Sequence, residues 1–166
     1  MSTPDQPWLS ETQQRVWRQW LAANAELSTA VGRQLSQDNG ISSPDFQVLV
    51  RLSEEPGRRL RIVELARGMQ WERSRLSHHL TRMEKRGLVL RRDCPQDGRG
   101  QFAELTDQGG HTVEQAAPGH VELVRSVLFD HLPEADLEVL DRITATLVER
   151  VRRSDFGEGD AKEPGA

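Results

Sequence analysis

Glu72-Arg-Ser-Arg-Leu-Ser-His-His-Leu-Thr-Arg-Met-Glu-Lys-Arg-Gly-Leu-Val89 is the stretch on which the reading of this chain turns. Leu76, Leu80 and Met83 recur at i, i+4 and i+7, a spacing that predicts a helix over about 72–86 with one narrow buried face. The remaining positions, Arg73, Ser74, Arg75, Ser77, His78, His79 and Arg82, then point outward, and that face is rich in hydrogen-bond donors and poor in acids. Upstream, the apolar set Ile62, Leu65, Ala66 and Met69 predicts a short helix ending in a turn at Gln70-Trp71. Downstream, Gly87 stops the main helix. Residues 88–93 and 101–105 then read as two short strands joined by the turn-rich Cys94-Pro-Gln-Asp-Gly-Arg-Gly100.

A short helix, a tight turn, a second helix with a basic polar face and a hairpin tipped by arginine are, in that order, the parts of a winged helix-turn-helix. The charge distribution fits this reading. The chain carries a net charge of −4, yet residues 58–92 hold eleven arginines and lysines against only Glu64, Glu72 and Glu84, leaving the rest of the chain strongly acidic. A basic island in an acidic chain is the footprint of a DNA-facing lobe, although a solvated charged face would look the same by count alone. Arg75, Ser77 and His78 are the candidates for reading base edges, Arg75 foremost because a guanidinium fork matches guanine. Arg73 and Arg82 suit phosphates as well as base edges, and Ser74 completes the DNA-binding set. In the hairpin tip, Arg99 sits between two glycines and fits a narrow minor groove, with Asp97 placed to brace its fork; the competing account is an ordinary Asp-Gly turn.

These residues carry a family resemblance. The 72–89 stretch resembles the recognition helix of the MarR family, and Asp97-x-Arg99 with Leu105-Thr106 resembles that family's wing signature at its usual spacing. The resemblance spans residues 13–153, specific in the central third and carried at the ends by periodicity only. It implies a homodimer with interlocked terminal helices and two winged lobes reading a palindromic operator in double-stranded DNA. It also implies a small effector, often aromatic, that binds between the lobes and weakens DNA binding, and a repressor's role. The sequence departs from the family pattern at Gln70-Trp71, where a glycine and a small aliphatic are usual, and at His78-His79, where arginine and an aliphatic are usual.

The remaining segments fit a mainly α fold with a small β-hairpin wing. Trp17, Trp20, Leu21, Leu27, Val31 and Leu35 form one stripe of a long helix over about 13–35, stopped by Asn39-Gly40. Ser43-Pro44-Asp45 caps a second helix bearing Phe46, Leu49, Val50 and Leu52. Thr106-Asp107 caps a fifth helix that Pro118-Gly119 is expected to kink or break. A sixth helix, from Pro133-Glu134, carries Leu137, Leu140, Ile143, Leu147 and Val151. The expected organisation is an arm over 1–12, a helical dimerisation region over 13–40 and 106–153, a winged lobe over 41–105, and a disordered tail over 154–166.

Trp17, Trp20, Phe46 and Trp71 are candidates to line an aromatic effector pocket, with core packing as the competing account. Cys94, the only cysteine, lies near Arg92 and admits a redox-sensing reading, but it has no second thiol to resolve it. His111 and His120 are nine residues apart with Pro118 between them, a poor spacing for a shared metal, so no metal or other cofactor is expected. No catalytic motif is present, which leaves an enzyme disfavoured. With 36% hydrophobic and 29% charged residues and no long apolar run, no membrane association is expected, and the cytoplasm is the default location. The rival from another class is a winged-helix protein-interaction module that never meets DNA.

Overall fold

The computed structural model describes residues 8–94 and 100–156. They divide into two compact units, Met1–Leu123 and Val124–Ala166, taken separately below.

The first unit opens with α1, Glu11–Asn39. Its start is set by a capping box: the Gln13 N–H donates to Ser10 Oγ at 3.3 Å and the Ser10 N–H returns a bond to Gln13 Oε1 at 2.9 Å. The helix thus begins inside the segment expected as an arm. Gly40, at φ 64°, closes it in the left-handed conformation that glycine adopts without strain. Helix α2, Ser43–Glu54, is capped by Ser42, one residue before the expected cap, with Asp45 as its reciprocal partner and Pro44 in the first turn. A turn at Pro56–Arg58 leads into β1, Arg59–Arg61, then α3, Ile62–Gly68, and α4, Arg73–Lys85. Strands β2, Val89–Asp93, and β3, Gln101–Leu105, form the expected hairpin.

β1 was not anticipated by the periodicity, because three residues are too few to display an alternation. It makes the hairpin a three-stranded antiparallel sheet of order β1-β3-β2, pairing Leu60 with Ala103 while Val89 pairs with Leu105. The Arg59 and Arg61 guanidiniums lie 5.4 and 5.7 Å from the Phe102 ring, so the strand is also held by cation–π contacts. Leu35, Val48, Leu49, Leu52, Leu65, Leu76, Leu80, Met83 and Val89 are fully buried in one core. The three α4 positions singled out by spacing, Leu76, Leu80 and Met83, all belong to it, so α4 is pressed onto the core along that stripe, while Arg73, Ser74, Arg75, His78 and Arg82 stay exposed.

Helix α5, Asp107–Val124, starts from Thr106, whose hydroxyl accepts from the Gly109 N–H at 2.9 Å and lies 2.6 Å from the Gly87 carbonyl. Of the kink or break expected at Pro118-Gly119, the break does not occur: the helix is continuous through Pro118. A mid-helix proline sacrifices a hydrogen bond, at a cost of ~3 kcal/mol, but the turn is held on both sides. Gly119 lies so close to α1 that a Cβ there would meet Gln34 Nε2 at 2.8 Å, and the His120 ring packs on Phe46 with centroids 4.8 Å apart. The departure from α-helical bonding comes later, as a π-helical stretch at Arg125–Phe129.

In the second unit, α6 spans Glu134–Phe156. It therefore runs three residues into the segment expected as a disordered tail; Arg153, in the last turn, complements the negative end of the helix dipole there. None of its described side chains is buried within the chain, and Val139, Ile143, Leu147, Val148 and Val151 are all exposed. No helix is long and apolar enough to cross a membrane among the described residues.

Candidate nucleic-acid interface

The outward face of α4 presents Arg73, Ser74, Arg75, His78 and Arg82 to solvent, as the spacing requires. Ser77 is half-buried, and its hydroxyl accepts from Arg91 Nη1 at 3.3 Å. The same Nη1 reaches Thr81 Oγ1 at 3.3 Å, while the Arg91 N–H donates to Glu84 Oε1 at 3.0 Å. Arg91 thus ties β2 to α4, joining the base of the hairpin to the flank of that helix. The sequence reading counted Arg91 only as charge. A cleft of about 260 Å³ between α3, α4 and the wing is lined by Arg61, Arg73, Ser77 and Gln101. Arg61, likewise counted only as charge, brings a second guanidinium to a site suited to a phosphate.

Arg75 lies over Trp71, its guanidinium carbon 4.3 Å from the ring centroid. Trp71 packs in turn against the core and meets the His79 ring edge-on at 5.4 Å. Gln70, immediately before it, adopts the left-handed φ of 54°, the geometry for which a glycine would be the unstrained choice. Glu72 caps α4 with no side-chain hydrogen bond.

One residue assigned to the outer face lies elsewhere: His79 is buried, 7% exposed. Its Nδ1 is 2.9 Å from Arg82 Nη2, and because a guanidinium only donates, Nδ1 must accept and the ring proton must reside on Nε2. Nε2 stands 3.0 Å from Asp45 Oδ1, an electrostatic contact rather than a well-aligned hydrogen bond. Burial is the largest influence on His79 and pushes its pKa below the ordinary 6.5; Arg82 and Arg75 act the same way, and the opposing pull of Asp45 does not reverse it. His79 is therefore neutral near pH 7. For Asp45, burial alone would raise the pKa, but the Ser42 N–H and hydroxyl and the Arg86 guanidinium outweigh it and hold the carboxyl below 3.8. Arg86 completes the corner, donating to Asp45 Oδ2 and to the Gly40 carbonyl, each at 2.8 Å. Asp45, His79 and Arg86 together fasten α4 to the start of α2. A helical wheel of α4 cannot reveal this, because the partner acid is 34 residues away in the sequence.

The four aromatic candidates do not share one cavity. Trp17 and Trp20 are exposed on α1, and Trp71 underlies Arg75. Phe46 is buried and forms part of the wall of a cleft of about 430 Å³, lined also by Val31, Leu35, Val50, Arg51, Met69 and His120. Cys94 is buried, with Arg61 Nη2 donating to its Sγ at 3.7 Å. Asp97 and Arg99 lie outside the described residues.

The model of the MarR family matches residues 41–100, the α2-to-wing segment. Over nearly its whole length the chain also superimposes on Sco3205, a MarR family transcriptional regulator from Streptomyces coelicolor solved in complex with DNA, at 42% identity and a TM-score of 0.86, covering 92% of this chain and 96% of that one. The chain belongs to the MarR family. A second MarR regulator from that organism, AbsC, gives 41% identity and a TM-score of 0.83, covering 87% of this chain and 97% of that one. Among curated relatives, the HTH-type transcriptional repressor YetL of Bacillus subtilis is 28% identical over 112 residues, 68% of this chain and 66% of that protein. The transcriptional regulator HosA of Escherichia coli is 32% identical over 78 residues, 47% of this chain and 56% of that protein. The chain thus spans about two thirds or less of these curated relatives' length. MarR proteins are transcription regulators, not enzymes, and the mainly α winged-helix architecture here is theirs.

Proposed function

We propose that this chain is a homodimeric, sequence-specific DNA-binding repressor that reads a palindromic operator with α4 and is released by a small ligand. The observation that carries the reading is the α4 surface itself. Five exposed donor-bearing side chains, Arg73, Ser74, Arg75, His78 and Arg82, stand on a helix whose opposite stripe is locked into the core and whose flank is bolted to the wing. A helix in the major groove needs such a face, and a rigid support converts its side-chain pattern into sequence preference. The solved DNA complex of Sco3205 supports DNA as the partner, and the name of YetL supports repression. In this assignment Arg75 and His78 face base edges, Arg73, Ser74, Arg82 and Arg61 hold phosphates with Ser77 half-buried beside Arg73 in the cleft, and Arg99 with Asp97 serves the minor groove from the wing tip.

Dimerisation is supported by α6, a helix of 23 residues that buries no described side chain within its own chain, and by Val16, Trp17, Trp20 and Leu21, exposed together on α1. An effector site is supported by the cleft of about 430 Å³ beneath Phe46, where Arg51 and His120 add polar groups to apolar walls.

A binding titration against duplex DNA at several salt concentrations separates this function from the protein-interaction alternative. Neutralised phosphates release counterions, so log affinity falls linearly with log salt at a slope of about −0.9 per phosphate contact. The expected result is a steep slope reporting several contacts. Salt-independent or undetectable binding would contradict DNA as the partner and leave the protein-interaction alternative standing.

A further inference from the structure

Trp71 occupies the turn between α3 and α4, and its ring is shared between two roles. One edge contact, to His79 at 5.4 Å, ties it to the buried Asp45–His79–Arg86 corner, and its packing against the core fixes its orientation. Its face carries the Arg75 guanidinium, 4.3 Å from the ring centroid. A stacked guanidinium uses only its flat surface. Its five N–H donors lie in one plane, and no hydrogen bond or ion pair within the described residues takes up those of Arg75, whose guanidinium carbon lies over the Trp71 ring. A free arginine on an exposed helix samples many rotamers and must lose that freedom on binding; one already laid on an indole presents a fork of fixed direction.

We infer that Trp71 is a specificity-determining positioning residue: its ring pre-orients Arg75 so that the in-plane donors meet one base pair of each half-site, guanine being the fitting base. The inference rests on α4 reading DNA, as proposed above, and adds that the sharpness of the reading at that base pair depends on an aromatic surface in the preceding turn. Three consequences separate it from a merely structural role. Loss of the ring relaxes preference at the same base pair as Arg75→Ala. It leaves the salt slope unchanged, because no phosphate contact is lost. It has no further effect once Arg75 is gone.

The experiment uses the full-length protein and a duplex selected from a random pool, together with the three duplexes substituted at the base pair whose preference Arg75→Ala relaxes. Affinities are measured for the wild type, Trp71→Phe, Trp71→Met, Arg75→Ala and the Trp71→Met/Arg75→Ala double variant, with a thermal melt of each. Methionine keeps a flexible apolar side chain without a π face, and phenylalanine keeps one. The expected result is a roughly two- to fivefold loss of discrimination at that base pair for Trp71→Met, the size of an exposed cation–π contact. Trp71→Phe should largely retain discrimination, and the double variant should match Arg75→Ala. The inference is overturned if Trp71→Met discriminates as the wild type does, or if it weakens every duplex equally. It is equally overturned if Trp71→Phe loses as much as Trp71→Met, since that would follow the shape of the core and not the aromatic face. Failure of Arg75→Ala to relax any position would instead overturn the assignment of Arg75 as a base reader, a different outcome from failure at Trp71.

Discussion

At the scale of single residues, the outward set on α4 was legible because helix periodicity fixes direction once the apolar stripe is known. His79 was the exception. It lies only one residue from His78, at the border of that stripe, and a border position is decided by what the neighbouring helix offers. Here α2 offers a carboxylate held ionised by Ser42 and Arg86. The consequence is pH-dependent. Since burial depresses the folded-state pKa of His79 below 6.5, the unfolded chain takes up a proton first as pH falls. Stability is therefore full above about pH 6.5, declines as pH drops below it, and levels off beneath the folded-state value; Asp45 adds its own loss only below 3.8. His79→Gln, whose amide can accept from Arg82 and donate toward Asp45, should lose part of the decline in denaturation midpoint between pH 7 and 5.5. An unchanged decline would mean that His79 does not contribute to it. For Arg75→Ala, we expect relaxed preference at one position per half-site and a loss of about 1–3 kcal/mol there, read by competition among substituted duplexes. Equal weakening on all sequences would move Arg75 to a phosphate.

At the scale of elements, the helices and the hairpin followed from spacing and caps, whereas β1 and the continuity of α5 did not. Three residues carry no period, and whether a helix survives a proline depends on tertiary support that a sequence window does not contain. The junction of wing and α5 shows how closely these elements are fitted. The Thr106 hydroxyl caps α5 while reaching back to the Gly87 carbonyl, and a Cβ at Gly109 would collide with the Leu88 carbonyl oxygen. Gly109→Ala should therefore destabilise the fold by about 1–3 kcal/mol through overpacking. Thr106→Val, which keeps the shape and removes the cap, should cost about 1–2 kcal/mol. Urea unfolding measures both, and a change within about 0.5 kcal/mol for either would contradict the close fit described.

At the scale of the whole molecule, the acidic net charge concealed the basic lobe until it was divided by position. The amphipathic stripes on α1 and α6 were visible in the sequence, but what covers them was not, because a stripe specifies a need for burial and not a partner. With Val139, Ile143, Leu147, Val148 and Val151 exposed on α6, a second copy of the chain is the expected cover. Sedimentation should give about twice the chain mass of 18.8 kDa, and the Ile143→Glu/Leu147→Glu variant should shift toward the monomer and lose operator affinity. A wild-type monomer would contradict the dimer. The wing tip stays an expectation from sequence, since Asp97 and Arg99 fall outside the described residues.

Selection of bound duplexes from a random pool by the purified full-length protein tests the central claim most directly. The account predicts enrichment of an inverted repeat whose half-sites are centred about one helical turn, or a multiple of it, apart, as two copies of α4 require. Recovery of no enriched sequence, or of a single unrepeated site, would contradict it.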